Sequence, residues 1–120
     1  MPHTTILLVE DSQFVADAVK ETLEAEGWRV RTCADGFAAW LLIKSEAHYD
    51  LILLDNELPN MSGLELTRRA RDLAHRRETP IVMISASECS RDAREAGANE
   101  YLRKPQDVGK IVETIARLIA

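Results

Sequence analysis

Four short apolar runs each end in a residue able to do chemistry. Leu51-Ile52-Leu53-Leu54 is followed by Asp55, and Ile6-Leu7-Leu8-Val9 by Glu10 and Asp11. Ile81-Val82-Met83-Ile84 is followed by Ser85, and Tyr101-Leu102 by Arg103 and Lys104. Such a run reads as a strand buried on both faces, and a carboxylate at its end needs company, because an unpaired buried charge is costly. Brought together, Glu10, Asp11 and Asp55 repel one another at neutral pH. Either one of them holds a proton at a raised pKa, or a cation sits between them. Oxygen ligands with no His or Cys in reach favour a hard ion such as Mg²⁺, which also takes phosphate oxygens. Lys104 would neutralise phosphate charge, Ser85 would donate a hydrogen bond to it, and Asp55 would be the nucleophile, forming an acyl phosphate. Asp11 or Ser12 could merely cap a helix, but capping does not account for four matching strand ends.

The elements that must position these residues alternate along the chain. After the first strand, Val15, Ala18, Val19, Thr22 and Leu23 recur at helical spacing, opposite Asp17, Lys20, Glu21 and Glu24. Gly27 stops that helix. A second strand over 28–33 is open to solvent on part of one face, and Asp35-Gly36 turns into a helix over 37–45. The Asp55 strand leads through a loop at 56–62 to a third helix reaching about His75. A strand opening at Pro80, a short helix within 87–97, a strand over 100–103 and a helix over 107–119 complete the series. The last helix carries Val108, Ile111, Val112, Ile115, Leu118 and Ile119 as one apolar stripe. Five strands alternating with five helices imply right-handed β-α-β units and a parallel α/β sheet covered on both faces. Such sheets bind ligands beyond the carboxyl ends of their strands, where strand order reverses.

At 120 residues, 46% hydrophobic and 29% charged, the chain is expected to be one globular domain. No apolar run approaches the ~20 residues of a spanning helix, and residues 1–5 lack a secretory pattern. Membrane partnership is therefore not expected. Cys33 and Cys89 fit neither a disulfide framework nor a metal spacing, and read as thiols of a reducing cytoplasm. A net charge of −5 argues against direct nucleic-acid binding.

The chain resembles the receiver domain of two-component response regulators over essentially its whole length. The likeness is carried by Leu8-Val9-Glu10-Asp11, Leu54-Asp55, Leu58-Pro59-Asn60-Met61-Ser62-Gly63, Ser85-Ala86, Ala96-Gly97-Ala98, Tyr101-Leu102 and Lys104-Pro105. The resemblance implies a flavodoxin-like (βα)5 doubly wound parallel sheet with strand order 2-1-3-4-5. Residues 1–120 are expected to form one receiver domain, with no output domain in this chain, either a stand-alone regulator or a fragment of a longer protein. It implies Asp55 as phosphoacceptor, charged from a sensor histidine kinase or a phosphotransfer protein in a phosphorelay. Asp11 would ligate Mg²⁺ directly, with Glu10 in support, Asp55 beside it, and the backbone carbonyl of Glu57 as the third protein ligand. Ser85 would close onto the phosphoryl group, Lys104 would pair with it, and Pro105 would follow a cis peptide. Tyr101 occupies the position of a ring that swings inward as Ser85 moves. The expected role is a cytoplasmic signalling switch acting on a downstream protein target, not an enzyme on outside substrates. Dimerisation on phosphorylation stays open.

Three departures from the family bear on this. From Ser85 to Gly97 the chain is short by about one helical turn, roughly three or four residues. The fourth helix has little apolar content, so that region is expected to be mobile or reshaped, with output through another face. Gln106 replaces the usual apolar residue after the Lys-Pro pair. Glu57 adds a fourth carboxylate, which either restrains the approach of a phosphodonor or of water, or turns to solvent.

Phe37 and Leu41 are expected to point outward, as local packing or as a partner-contact patch. Arg68, Arg69, Arg71, Arg76 and Arg77 read as a solvated face opposite Leu66, Ala70, Leu73 and Ala74, with Glu65-Arg69 and Arg68-Asp72 as i,i+4 pairs. His3, His48 and His75 lack useful spacing. Competing readings are a degenerate receiver acting as a constitutive binding module, a phosphatase with an aspartyl-phosphate intermediate, and a flavin carrier. The first should lack Asp55, Asp11 or Lys104, the second needs a substrate cap, and the third needs a phosphate loop after the first strand.

Overall fold

The structure, a computed structural model, describes residues 3–120. Five strands form one parallel sheet in the order β2-β1-β3-β4-β5: β1 Thr5–Val9, β2 Arg29–Cys33, β3 Leu51–Asp55, β4 Ile81–Ser85 and β5 Glu100–Arg103. The helices are α1 Gln13–Glu24, α2 Gly36–Lys44, α3 Gly63–Arg71, α4 Ser90–Ala96 and α5 Ile111–Ile119. The expected flavodoxin-like topology is therefore present.

Strand alternation sorts the side chains onto two covered faces. Leu7, Val9, Ile52, Leu54, Ile81 and Met83 pack with Ala39 and Ile43 of α2, Leu66 and Ala70 of α3, and Ala93 of α4. Ile6, Leu8, Leu51, Leu53, Val82 and Ile84 pack with Ala16 and Leu23 of α1 and Ile111 and Ile115 of α5. Every residue of β3 and β4 is buried, as uninterrupted apolar runs in a doubly covered sheet require. Each such Leu or Ile contributes about 1.5–3 kcal/mol by leaving water. The order reverses between β1 and β3, and the register Val9 with Leu54 brings Glu10 level with Asp55 there.

Several local expectations need correcting. In α1 the buried positions are Ala16 and Leu23, with Ala18 and Thr22 exposed. The strands select a phase that small side chains specify weakly. The third helix stops at Arg71 and a 3-10 turn, Ala74–Arg76, follows, leaving Ala74 exposed and Leu73 half-buried. The segment before α5 is a 3-10 turn, Val108–Lys110, so Val108 leaves the apolar stripe and is exposed. The arginines do not form one solvated face. Arg69 pairs with Glu65 at 2.9 Å as expected, but Arg76 is buried and its guanidinium donates to the carbonyls of Ile43, Ser45 and Ala47 at 2.8, 3.2 and 2.5 Å. Arg71 donates to the carbonyls of Gly97, Arg76 and Thr79 and to Asn99 Oδ1, tying α3 to the segments before β4 and β5. Phe37 and Leu41 are exposed, as anticipated.

Candidate phosphoryl and metal site at the carboxyl edge of the sheet

Asp55 is the last residue of β3 and is 3% exposed. The chain turns directly over it. The Asn56 carbonyl accepts from Gly63 N–H at 3.0 Å, Asn56 Oδ1 accepts from Leu64 N–H at 2.9 Å, and Ser62 caps α3 by accepting from Glu65 N–H. Gly63 is required by close approach: a Cβ there would stand 2.5 Å from the Asp55 carbonyl oxygen. The Asp55 carboxylate accepts from the Glu57 N–H at 2.8 Å, which fixes Oδ1. Glu10, also buried, follows β1, and its Oε2 accepts from Ser12 N–H at 3.0 Å. Asp11 is exposed at the mouth. Ser12 rather than Asp11 caps α1.

Lys104 follows β5, and its N–H donates to the Ser85 carbonyl at 2.8 Å, which ties its backbone to the end of β4. From there the side chain crosses β4. Its ammonium donates to Asp55 Oδ2 at 2.5 Å and Glu10 Oε1 at 3.0 Å. The Lys104–Pro105 peptide is cis. Glu10, Asp11 and Asp55 each present a carboxylate oxygen within 4.8 Å of the others. Two of these acids, Glu10 and Asp55, therefore share one amine, with the Asp11 carboxylate beside them. Burial pushes the Asp55 carboxyl up to about 6, outweighing Lys104 and the Glu57 N–H, with the Glu10 charge adding to the rise. Burial also acts on Glu10, but the Ser12 N–H and Lys104 outweigh it and lower that carboxyl. The two carboxylates raise the Lys104 ammonium despite its partial burial, so it stays charged. An all-oxygen donor set with uncompensated negative charge fits a hard divalent ion such as Mg²⁺.

Ser85 ends β4 and is fully buried. Its hydroxyl donates to Glu57 Oε2 at 2.6 Å, and Glu57 Oε1 accepts from Ala86 N–H at 3.0 Å. The Glu57 carboxylate therefore turns to Ser85 and Ala86 rather than away into solvent, although the residue as a whole is exposed. Its spacing two residues past Asp55 was the available signal; its partners on the next strand were not readable locally. The Tyr101 hydroxyl donates to the Ser87 carbonyl and accepts from Cys89 N–H, and the Arg103 guanidinium donates to the Ala86 carbonyl at 2.9 Å. Arg103, absent from the sequence-based site, thus holds the segment after β4. Among the described residues, Glu10, Asp11 and Asp55 are the one acid, Cys or His cluster of metal-binding size. His48 pairs with Asp50, and His75 meets the Ser45 carbonyl, away from it.

A doubly wound parallel sheet bearing acids, a hydroxyl and an amine at the carboxyl edge, around its switch point, defines a CheY-like α/β domain. Residues 6–116 match the response regulator receiver domain family, and the chain belongs to that family. It is 32% identical over 114 residues to the polar-differentiation response regulator DivK of Brucella ovis, covering 92% of each chain. The chemotaxis response regulator CheY4 of Vibrio cholerae superposes with a TM-score of 0.88 at 29% identity, covering 98% of this chain and 99% of that one. The receiver domain of sensor histidine kinase PA1611 from Pseudomonas aeruginosa, with a magnesium ion coordinated in its active site cleft, superposes with a TM-score of 0.87 at 32% identity, covering 98% of each.

Proposed function

We propose that this receiver domain accepts a phosphoryl group on Asp55 from a phosphohistidine of a sensor histidine kinase or phosphotransfer protein, and thereby switches its contacts with a downstream protein target. The observation that carries the reading is the Lys104 ammonium bridging Asp55 and Glu10 at 2.5 and 3.0 Å, with the Asp11 carboxylate alongside. In the transfer a carboxylate oxygen of Asp55 attacks phosphorus. The P–N bond to the donor imidazole breaks with its electron pair left on nitrogen, and an acyl phosphate forms. Lys104 is positioned to exchange its bond to Asp55 for one to a phosphoryl oxygen, so its charge follows the developing charge. Ser85 supplies a hydroxyl from the neighbouring strand. Glu10, Asp11, Asp55 and the backbone carbonyl of Glu57 would hold Mg²⁺, whose charge relieves repulsion between these acids and incoming phosphoryl oxygens.

The switch itself involves Ser85 and Tyr101. Tyr101 grips the segment just after Ser85 through Ser87 and Cys89, so a Ser85 hydroxyl drawn toward a phosphoryl group alters what that ring can hold. Phosphorylation then favours a minor state that is already sampled. The partner is a protein: a net charge of −5 gives no counterion-release drive toward nucleic acid. The two free thiols, Cys33 and Cys89, suit a cytoplasmic protein.

Incubation with acetyl phosphate and Mg²⁺ followed by intact mass measurement tests this. The wild type is expected to gain one phosphoryl group, and Asp55→Asn none. No gain by the wild type would favour the degenerate binding module, and turnover of a free phosphomonoester would favour an enzyme.

A further inference from the structure

Glu57 serves the site twice, with its backbone toward β3 and its side chain toward β4. Its N–H donates to Asp55 Oδ1. Its carboxylate takes up two adjacent donors, one on each oxygen: the Ser85 hydroxyl at 2.6 Å and the Ala86 N–H at 3.0 Å. The segment carrying those donors is held from its other side. The Arg103 guanidinium donates to the Ala86 carbonyl, the Ser87 N–H donates to Ser85 Oγ at 3.0 Å, and the Tyr101 hydroxyl donates to the Ser87 carbonyl. The remaining face of the Ser85-Ala86 pair is the one Glu57 covers.

Two negative oxygens accepting from a hydroxyl and an adjacent N–H form the acceptor pattern that a phosphoryl group also offers. Resting on the reading that Asp55 is the phosphoacceptor, we propose that Glu57 is a positioning residue whose carboxylate occupies the Ser85 and Ala86 donors in the unphosphorylated protein and must be displaced by phosphoryl oxygens, so that it slows loading of Asp55. Two effects act in the same direction. The carboxylate repels an anionic phosphodonor approaching Asp55. It also holds charge-assisted hydrogen bonds that the phosphoryl group can gain only by taking them. Glu57 itself is exposed, so displacement swings a loop side chain into water without opening the core.

The full chain carrying Glu57→Ala or Glu57→Gln tests the proposal by two readouts. The first is the Ala86 amide in ¹H–¹⁵N spectra and hydrogen exchange without phosphodonor. The second is the rate of mass gain from acetyl phosphate with Mg²⁺. In Glu57→Ala the Ala86 amide is expected to shift upfield and exchange faster, and loading to accelerate about tenfold, the worth of one hydrogen bond to a charged group. Glu57→Gln retains an acceptor oxygen without the charge, and both readouts should fall between. Thermal melting of both variants should match the wild type. An unmoved Ala86 amide in Glu57→Ala would overturn the contact. A moved amide with unchanged or slower loading would overturn the competition alone. If neither wild type nor Glu57→Ala gains mass, the phosphoacceptor reading fails and the competition fails with it.

Discussion

Asp55 is pulled in two directions, and burial wins. Its carboxyl lies at the bottom of the cluster beside a second buried acid, and one shared ammonium does not offset the lost hydration, so it rises from 3.8 to about 6. A carboxyl whose pKa is raised by folding favours the folded state only while it keeps its proton. Between about pH 4 and pH 6 the folded protein holds a proton that the unfolded chain releases, so the Asp55 contribution lowers stability as pH rises through that window. Above about pH 6 the whole cost is present, on the order of 2–3 kcal/mol for a shift of this size. Glu10 runs the other way: its lowered carboxyl contributes stability above its ordinary value of 4.5 that is lost as pH falls. Asp55→Asn removes the first contribution and touches the second only through the Asp55–Glu10 contact, a smaller cause of the Glu10 shift than the Ser12 N–H and Lys104. Urea unfolding without divalent ions should find Asp55→Asn more stable than the wild type at pH 7 and equal to it near pH 4. Parallel stability curves across that range would show that the carboxyl is not raised.

Among the elements, α2 depends on a residue far along the chain. It ends at Lys44, and the carbonyls around its end, on Ile43, Ser45 and Ala47, accept from the buried guanidinium of Arg76, which also lies 5.0 Å from the Tyr49 ring. Arg76→Ala is expected to cost about 2–4 kcal/mol in urea unfolding, because the buried Ile43 carbonyl and the partly covered Ser45 and Ala47 carbonyls lose one charged donor together. Arg76→Lys should restore little, since an ammonium lacks the planar fork. Exposed Arg68→Ala should change stability by less than about 0.5 kcal/mol, and an equal loss at both positions would refute the distinction. This clamp was hidden in the sequence for a physical reason. An arginine in a basic run looks solvated, and its targets are backbone carbonyls about thirty residues earlier, which carry no side-chain signature. The strands, by contrast, could be read from single runs such as Leu51 to Leu54, because burial on both faces leaves no room for polar residues. The phase of α1 differs at Ala18 and Thr22 because a single methyl and a hydroxyl-bearing side chain mark a buried face only weakly, and the Thr22 hydroxyl is satisfied within the helix by the Ala18 carbonyl at 3.0 Å.

Across the whole molecule, the sheet order gathers Glu10, Asp11, Asp55, Ser85 and Lys104 from four strands onto one edge. That gathering was open to inference because each residue follows its own apolar run and parallel strands end on the same side. The direction of the Glu57 carboxylate was not, since a loop side chain is aimed by partners on another strand. The edge also concentrates negative charge beyond what Lys104 offsets, so a divalent ion should bind the folded protein and not the unfolded chain. Mg²⁺ at ten times its dissociation constant would then stabilise the protein by about 1.4 kcal/mol, raising its melting temperature by about 5 °C. NaCl of equal ionic strength should have a smaller effect, because screening does not replace coordination. Asp11 is the carboxylate to remove, being exposed and having no side-chain hydrogen bond among the described residues, where Ser12 makes the cap of α1. Asp11→Asn should keep its melting temperature without the ion within a degree or so of the wild type and lose most of the Mg²⁺ response. A full Mg²⁺ response in Asp11→Asn, read by calorimetry, would place the ion elsewhere and leave the acid edge to Lys104 alone.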